Sequence, residues 1–142
     1  MNLVEDALCF TKGENIMGLD QYAFRVKNKA VINRFQYDHD YMHKEFFDWR
    51  KNRFLHNWME ELYQSLGGKD EFNMKIVQVL PEDIDRLEED TKSGKIKEYD
   101  KPGFFWGDRP FGDYEYSSIM DFCEEAREEF KKGNAVFYES WY

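Results

Sequence analysis

A single α+β domain is what this 142-residue sequence predicts, with a mixed or antiparallel sheet of about four strands, a central helix and two further helices. Four stretches carry that expectation. Residues after Asp20 and those from Ala135 to Tyr142 alternate with a period of two, as half-buried strands do. Phe46 to Leu66 has no Gly or Pro and repeats its apolar residues at helical spacing. Tyr116 to Lys132 does the same, with a glutamate-rich opposite side.

Residues 1–16, MNLVEDALCFTKGENI, precede a second possible start at Met17-Gly18-Leu19-Asp20 and are expected to be an N-terminal extension. The domain is therefore placed at 17–142, and loss of the extension should leave it folded. In the first strand Tyr22, Phe24 and Val26 point one way, while Gln21, Arg25 and Lys27 point the other, with the small Ala23 among them. Ala30 to Tyr37 is either a weaker strand or a loop. Asp38 to His43 leads into the central helix and holds His39 and His43, which at i, i+4 would share a metal only with Asp38 or Asp40 added. No downstream ligand pair accompanies them, and two exposed histidines are the reading preferred.

The central helix is placed at Phe46–Leu66. Phe47, Phe54, Trp58 and Leu62, with Leu55 at the margin, form its core arc, and Lys51 is a charge misplaced within it. A second stripe of Trp49, Asn52, His56 and Tyr63 suits either a buried hydrogen-bonded face or a pocket wall. Arg50, Arg53, Asn57, Glu61 and Gln64 read as the solvent side. Gly67-Gly68 should stop the helix.

Met74 to Leu80 reads as a strand, and Pro81 opens a short surface helix with Glu82, Asp83 and Asp85 at its positive end. Asp90 to Lys101 reads as loop. Phe104, Phe105 and Trp106 lie between Gly103 and Gly107, where rings either enter the core or cover a pocket. In the last helix Ile119, Phe122, Cys123, Ala126 and Phe130 form the stripe, Ser117 or Ser118 the cap, and Glu124, Glu125, Glu128 and Glu129 the solvated region. The closing strand puts Val136, Tyr138, Ser140 and Tyr142 on one side and Phe137, Glu139 and Trp141 on the other.

The net charge of −9 is uneven: −2 over residues 1–16, +2 over 17–60 and −9 over 61–142. An acidic C-terminal part repels nucleic acid and suits basic partners, while the first half can meet an anion. Cys9 and Cys123 are isolated and predict neither a disulfide frame nor a zinc knuckle. No apolar run approaches the roughly 18 residues of a membrane span, and nothing marks a signal peptide, so a cytoplasmic protein without membrane contact is expected. There is no Gly-rich phosphate loop, no GxSxG and no HExxH, and no cofactor or metal is expected.

Four blocks together resemble a family of small uncharacterised proteins from bacteriophages and some bacteria. They are Met17-Gly18-Leu19-Asp20 with Tyr22, the WRK of Trp49 to Lys51 followed by Leu55, His56 and Trp58, the GFFWG of Gly103 to Gly107, and Ser140-Trp141 in the closing strand. Members begin MGLD and carry YWRKxNxIHxWF and GFFxG segments, and the likeness runs in order from residue 17 to residue 142. Here Arg53 stands where the motif has Asn, with Asn52 one place earlier, and Asp48 and Met59 replace the aromatic residues at the two ends. The resemblance implies a phage-type origin and a fold group, and no mechanism.

Two functions compete. One is a cytoplasmic binding protein made by a phage to engage a host protein or defence component, with exposed rings as anchors. The other is a small-ligand, anion or nucleotide site, or a hydrolase, near the central helix, drawing on Trp49, Arg50, Lys51, Asn52, His56, Phe105 and Trp106; His56 would act as acid or base and Lys51 would hold a phosphate. Mimicry of DNA by the acidic part is weaker, because Lys and Arg are interleaved with the carboxylates.

Overall fold

The structure, a computed structural model, describes residues 18–101 and 108–142. The extension at 1–16 and the rings Phe104, Phe105 and Trp106 lie outside the described residues. What is described is an α+β domain. Strands β1 (Asp20–Lys27), β4 (His43–Arg50), β5 (Ile76–Val79) and β6 (Asn134–Trp141) form an antiparallel sheet in the order β4-β1-β6-β5. Helices α1 (Arg53–Ser65), α2 (Pro81–Ser93) and α3 (Asp113–Lys131) pack on its inner side. A hairpin of β2 (Val31–Asn33) and β3 (Gln36–Tyr37) lies across part of the outer side.

The central helix exists but is shorter than its periodicity predicts, because the residues up to Arg50 belong to β4. A bulge conceals this strand. Ala23 pairs with Phe47 and Phe24 with Glu45, so Phe46 is an extra residue, and both Phe46 and Phe47 turn inward onto Phe122, with ring centroids 6.1 and 5.8 Å away. The extra residue breaks the alternation that would mark a strand. The helix begins at Asn52, whose side chain accepts the Leu55 backbone N–H at 3.2 Å, leaving a Ser/Asn-type cap where helical periodicity showed no interruption.

Phe54, Leu55, Trp58 and Leu62 are buried as expected. Arg53 and Asn57, read from the sequence as solvated, are buried as well. At the far end Gly67 takes a φ of 102°, the left-handed conformation that a side chain would disfavour.

Ala30 to Tyr37 resolves into the hairpin, and its turn explains why. Arg34 donates to the Gln78 carbonyl and to Asp83, at 2.8 and 2.7 Å, while the Gln78 N–H donates to the Arg34 carbonyl at 2.7 Å. The turn thereby covers the edge of β5. Helix α2 continues to Ser93 and a 3₁₀ turn follows at Lys95–Glu98, where loop was expected; Ile96 is fully buried and supplies the reason.

Helix α3 starts earlier than a Ser117 or Ser118 cap predicts. The Glu115 carboxylate reaches back to accept the Gly112 N–H at 2.9 Å, half of a capping box. Glu129, expected in solvent, is buried against Asn134 at 3.0 Å and Arg25 at 3.5 Å. No described helix is long and apolar enough to cross a membrane.

Candidate functional site

The predicted site residues converge on the β4–α1 junction and then part company. Trp49 is buried on the inner side of β4, in edge-on contact with Phe122 at 4.9 Å. Arg50 is exposed and paired with Asp20 at 3.4 Å. Lys51 makes the turn itself with a φ of 59°, its N–H bonded to the Leu19 carbonyl at 2.7 Å. A left-handed lysine is disfavoured by on the order of 1 kcal/mol, so its charge sits at a connecting turn and never in the core arc of a helix.

From Asn52 a row of buried polar groups runs along the inner side of the sheet. The Gln21 carboxamide oxygen accepts the Asn52 N–H at 2.8 Å, and its nitrogen donates to the Asn52 carbonyl at 2.9 Å and to the Tyr138 hydroxyl at 2.8 Å. Tyr138 is hydrogen-bonded to Ser140, and Ser140 Oγ shares a 3.0 Å hydrogen bond with His56 Nδ1. Gln21, Asn52, His56, Tyr138 and Ser140 are all fully buried. Among the described residues the Trp49 indole N–H and the Asn52 side-chain N–H have no acceptor.

A serine beside a histidine invites a nucleophile–base reading. The surroundings oppose it. Burial first, and the Lys101 charge second, hold the His56 imidazole down to about 3, which leaves it a weak base. Burial likewise pushes the Tyr138 phenol far above its ordinary range. Neither Ser140 nor His56 exposes surface to a substrate. Of the second stripe, Asn52 and His56 join the buried hydrogen-bonded row, while Trp49 belongs to β4 and Tyr63 packs edge-on against Phe35.

Arg53 and Asn57 have a different task. Arg53 donates to Asp100 at 2.7 Å and to the Arg109 carbonyl, while Asn57 donates to the carbonyls of Tyr99 and Lys101 at 2.7 and 3.2 Å. The start of α1 thus holds the chain on both flanks of residues 102–107. His39 and His43 sit in a turn and at the start of β4, not on one helix; their rings meet edge-on at 5.1 Å and both pack on Tyr37. Among the described residues no group of three or more His, Cys, Asp and Glu is placed to hold a metal.

The accessible chemistry lies on the outer side of the sheet, among residues that sequence reasoning left out of the candidate site. The alternation of β1 is as predicted, but Gln21 and Ala23 face the helices, and Tyr22 and Phe24 face outward. Pairing across the strands makes one row of Asp48, Tyr22 and Glu139 and a second of Glu45, Phe24 and Phe137. The hairpin covers the second row where Tyr37 packs on Phe137 at 5.0 Å, with Phe24 half-buried against the same cluster, while Tyr22 is half-buried and Trp141 exposed. These three rings, with Glu45 and Glu139, line a shallow depression of about 300 Å³.

Trp141 is 49% exposed, yet its strand is fixed by pairing with Asp20 and by the reciprocal bonds between Asn73 and Tyr142, each 2.9 Å. Burial, followed by the charges of Asp20, Glu45, Asp48 and Glu139, pushes the Tyr22 phenol up to about 12. Burial and then Asp48 raise Glu45 above the usual carboxylate range, and burial raises Glu139. The one signal in the sequence that could have found this face is Ala23: a small residue between large ones fits where a helix crosses close to the strand. Compared with family models, with curated proteins and with solved structures, the chain finds no match.

Proposed function

We propose that this chain is a phage-type binding protein that works in the cytoplasm of a host cell by engaging a host protein or defence component. The observation that carries this reading is the outer face of the sheet, where Trp141 is exposed and the half-buried Tyr22 and Phe24 join it in lining one depression. Rings held rigidly at a surface lose little entropy when a partner covers them, which is what an interface anchor requires. The phage origin and the host partner rest on the resemblance of the four sequence blocks.

The ligand or hydrolase reading has less behind it. Its acid–base residue, His56, is sealed and neutral, and Lys51 occupies a turn outside the buried row. Affinity capture from expressing bacteria, with proteins and nucleotides both read by mass spectrometry, separates the two. A host protein recovered with the wild type and lost with Trp141→Ala is the expected result. A nucleotide recovered equally by both would support the ligand reading instead.

A further inference from the structure

Resting on the binding function above, we propose that the outer face recognises an arginine-bearing extended segment of the partner protein, with guanidinium groups laid on the Tyr22, Phe24 and Trp141 rings between the Glu45 and Glu139 carboxylates. The case starts from charge. Asp20 has Arg50 at 3.4 Å, but among the described residues Glu45, Asp48 and Glu139 have no lysine or arginine at ion-pair distance. Burial first, and the Asp48 charge second, raise the Glu45 carboxyl, as two like charges on one strand should. The face is therefore short of positive charge, and a cation placed between its two carboxylate sides would relieve their repulsion.

Geometry selects the kind of cation. The Tyr22 and Phe24 centroids lie 6.4 Å apart with planes inclined at 39°, so the floor is aromatic across more than one ring. A planar guanidinium stacks on such a surface and still presents N–H groups sideways to carboxylates, whereas an ammonium is a compact, strongly hydrated charge. The Tyr22 hydroxyl remains protonated at neutral pH and adds a donor.

Geometry also selects the source. A small ligand normally needs a cleft that encloses most of its surface, and this depression is shallow. Carboxylates on β4 and β6, one on each side of the β1 rings, suit successive side chains of an extended segment laid across the strands. A second copy is disfavoured, since the chain carries a net charge of −9 and would bring like charges together. Residues 1–16, with a net charge of −2, are disfavoured for the same reason.

The test uses the full chain and a fluorescent peptide alternating arginine with serine, beside a version with citrulline, which keeps the shape and drops the charge. Anisotropy should report binding of the arginine peptide, weakened at least about tenfold by citrulline, by Trp141→Ala and by the double change Glu45→Gln with Glu139→Gln. The double variant keeps the test valid should Trp141→Ala fail to fold. Equal binding of the two peptides, or no binding of either, overturns the proposal. So does a dimer that Trp141→Ala dissolves, or peptide binding that emerges only once residues 1–16 are removed. A cellular partner captured equally by the wild type and the double variant would leave the binding function standing and reject the arginine chemistry. Peptide binding through these residues with no cellular partner would do the reverse.

Discussion

On the inner side of β1 and β6, Gln21, Tyr138, Ser140 and His56 are wholly buried and joined by hydrogen bonds. One residue along the same strands, Tyr22, Glu139 and Trp141 face outward, with Trp141 exposed, Tyr22 half-buried and Glu139 raised by burial without a basic partner at ion-pair distance among the described residues. Neighbouring residues of one sheet thus end in opposite states. A polar group beneath three helices must be satisfied internally, so its chemistry is spent on holding the fold. An aromatic group on an open sheet face has no such obligation and is available to another molecule.

The sharpest attack on the inner side is Trp58→Ala. Trp58 is 1% exposed, donates to Asp90 at 2.9 Å and has Arg86 over its ring at 4.4 Å. Its removal should reduce stability by roughly 3 to 5 kcal/mol, read by urea unfolding. A change under about 1 kcal/mol would mean that the helix layer can collapse around the loss.

Gln21→Ala strikes the polar row at its branch point, stranding the Asn52 N–H and taking one of two partners from the Tyr138 hydroxyl, and should lower stability by about 2 to 3 kcal/mol. Rescue by a bound water would show as a much smaller loss in the same unfolding curves.

His56 adds a pH dependence. Its folded pKa of about 3 lies below the ordinary value of 6.5, so below 6.5 the unfolded chain takes up a proton that the folded chain refuses. Its contribution to stability, present in full above 6.5, therefore falls by about 1.4 kcal/mol per pH unit as the pH drops toward 3. His56→Gln should flatten the stability profile between roughly pH 6 and 4 by that slope. An unchanged slope would assign the pH dependence to carboxylates.

The smallest expected effect on stability belongs to the outer face. Trp141→Ala should shift unfolding by no more than about 0.5 kcal/mol, because the ring rests at the surface, while partner capture is lost. A loss above about 2 kcal/mol would make Trp141 a structural residue and erase the contrast between the two sides.

How far the sequence could be read follows from the same contrast. Strands β1 and β6 and helix α3 were legible because each keeps one period throughout. The start of α1 was not, since the bulge at Phe46 hides the strand and Phe47 lies at heptad distance from Phe54, mimicking a helical arc. The burial of Arg53 and Asn57 depends on chain more than forty residues away and leaves no local trace. Period two correctly sorted Tyr22 from Gln21, but it does not say which set faces the helices. With the face decided, the candidate site moves from Trp49, Asn52 and His56 to Tyr22, Phe24 and Trp141.

The central claim, that the inner polar row is sealed and structural, is tested most directly by following the His56 ring protons by NMR from pH 7.5 to pH 4 while amide dispersion confirms the fold. With a pKa near 3, the His56 resonances should hold their neutral positions across that range. A midpoint close to the ordinary 6.5 would place His56 within reach of water and return it to the list of acid–base candidates.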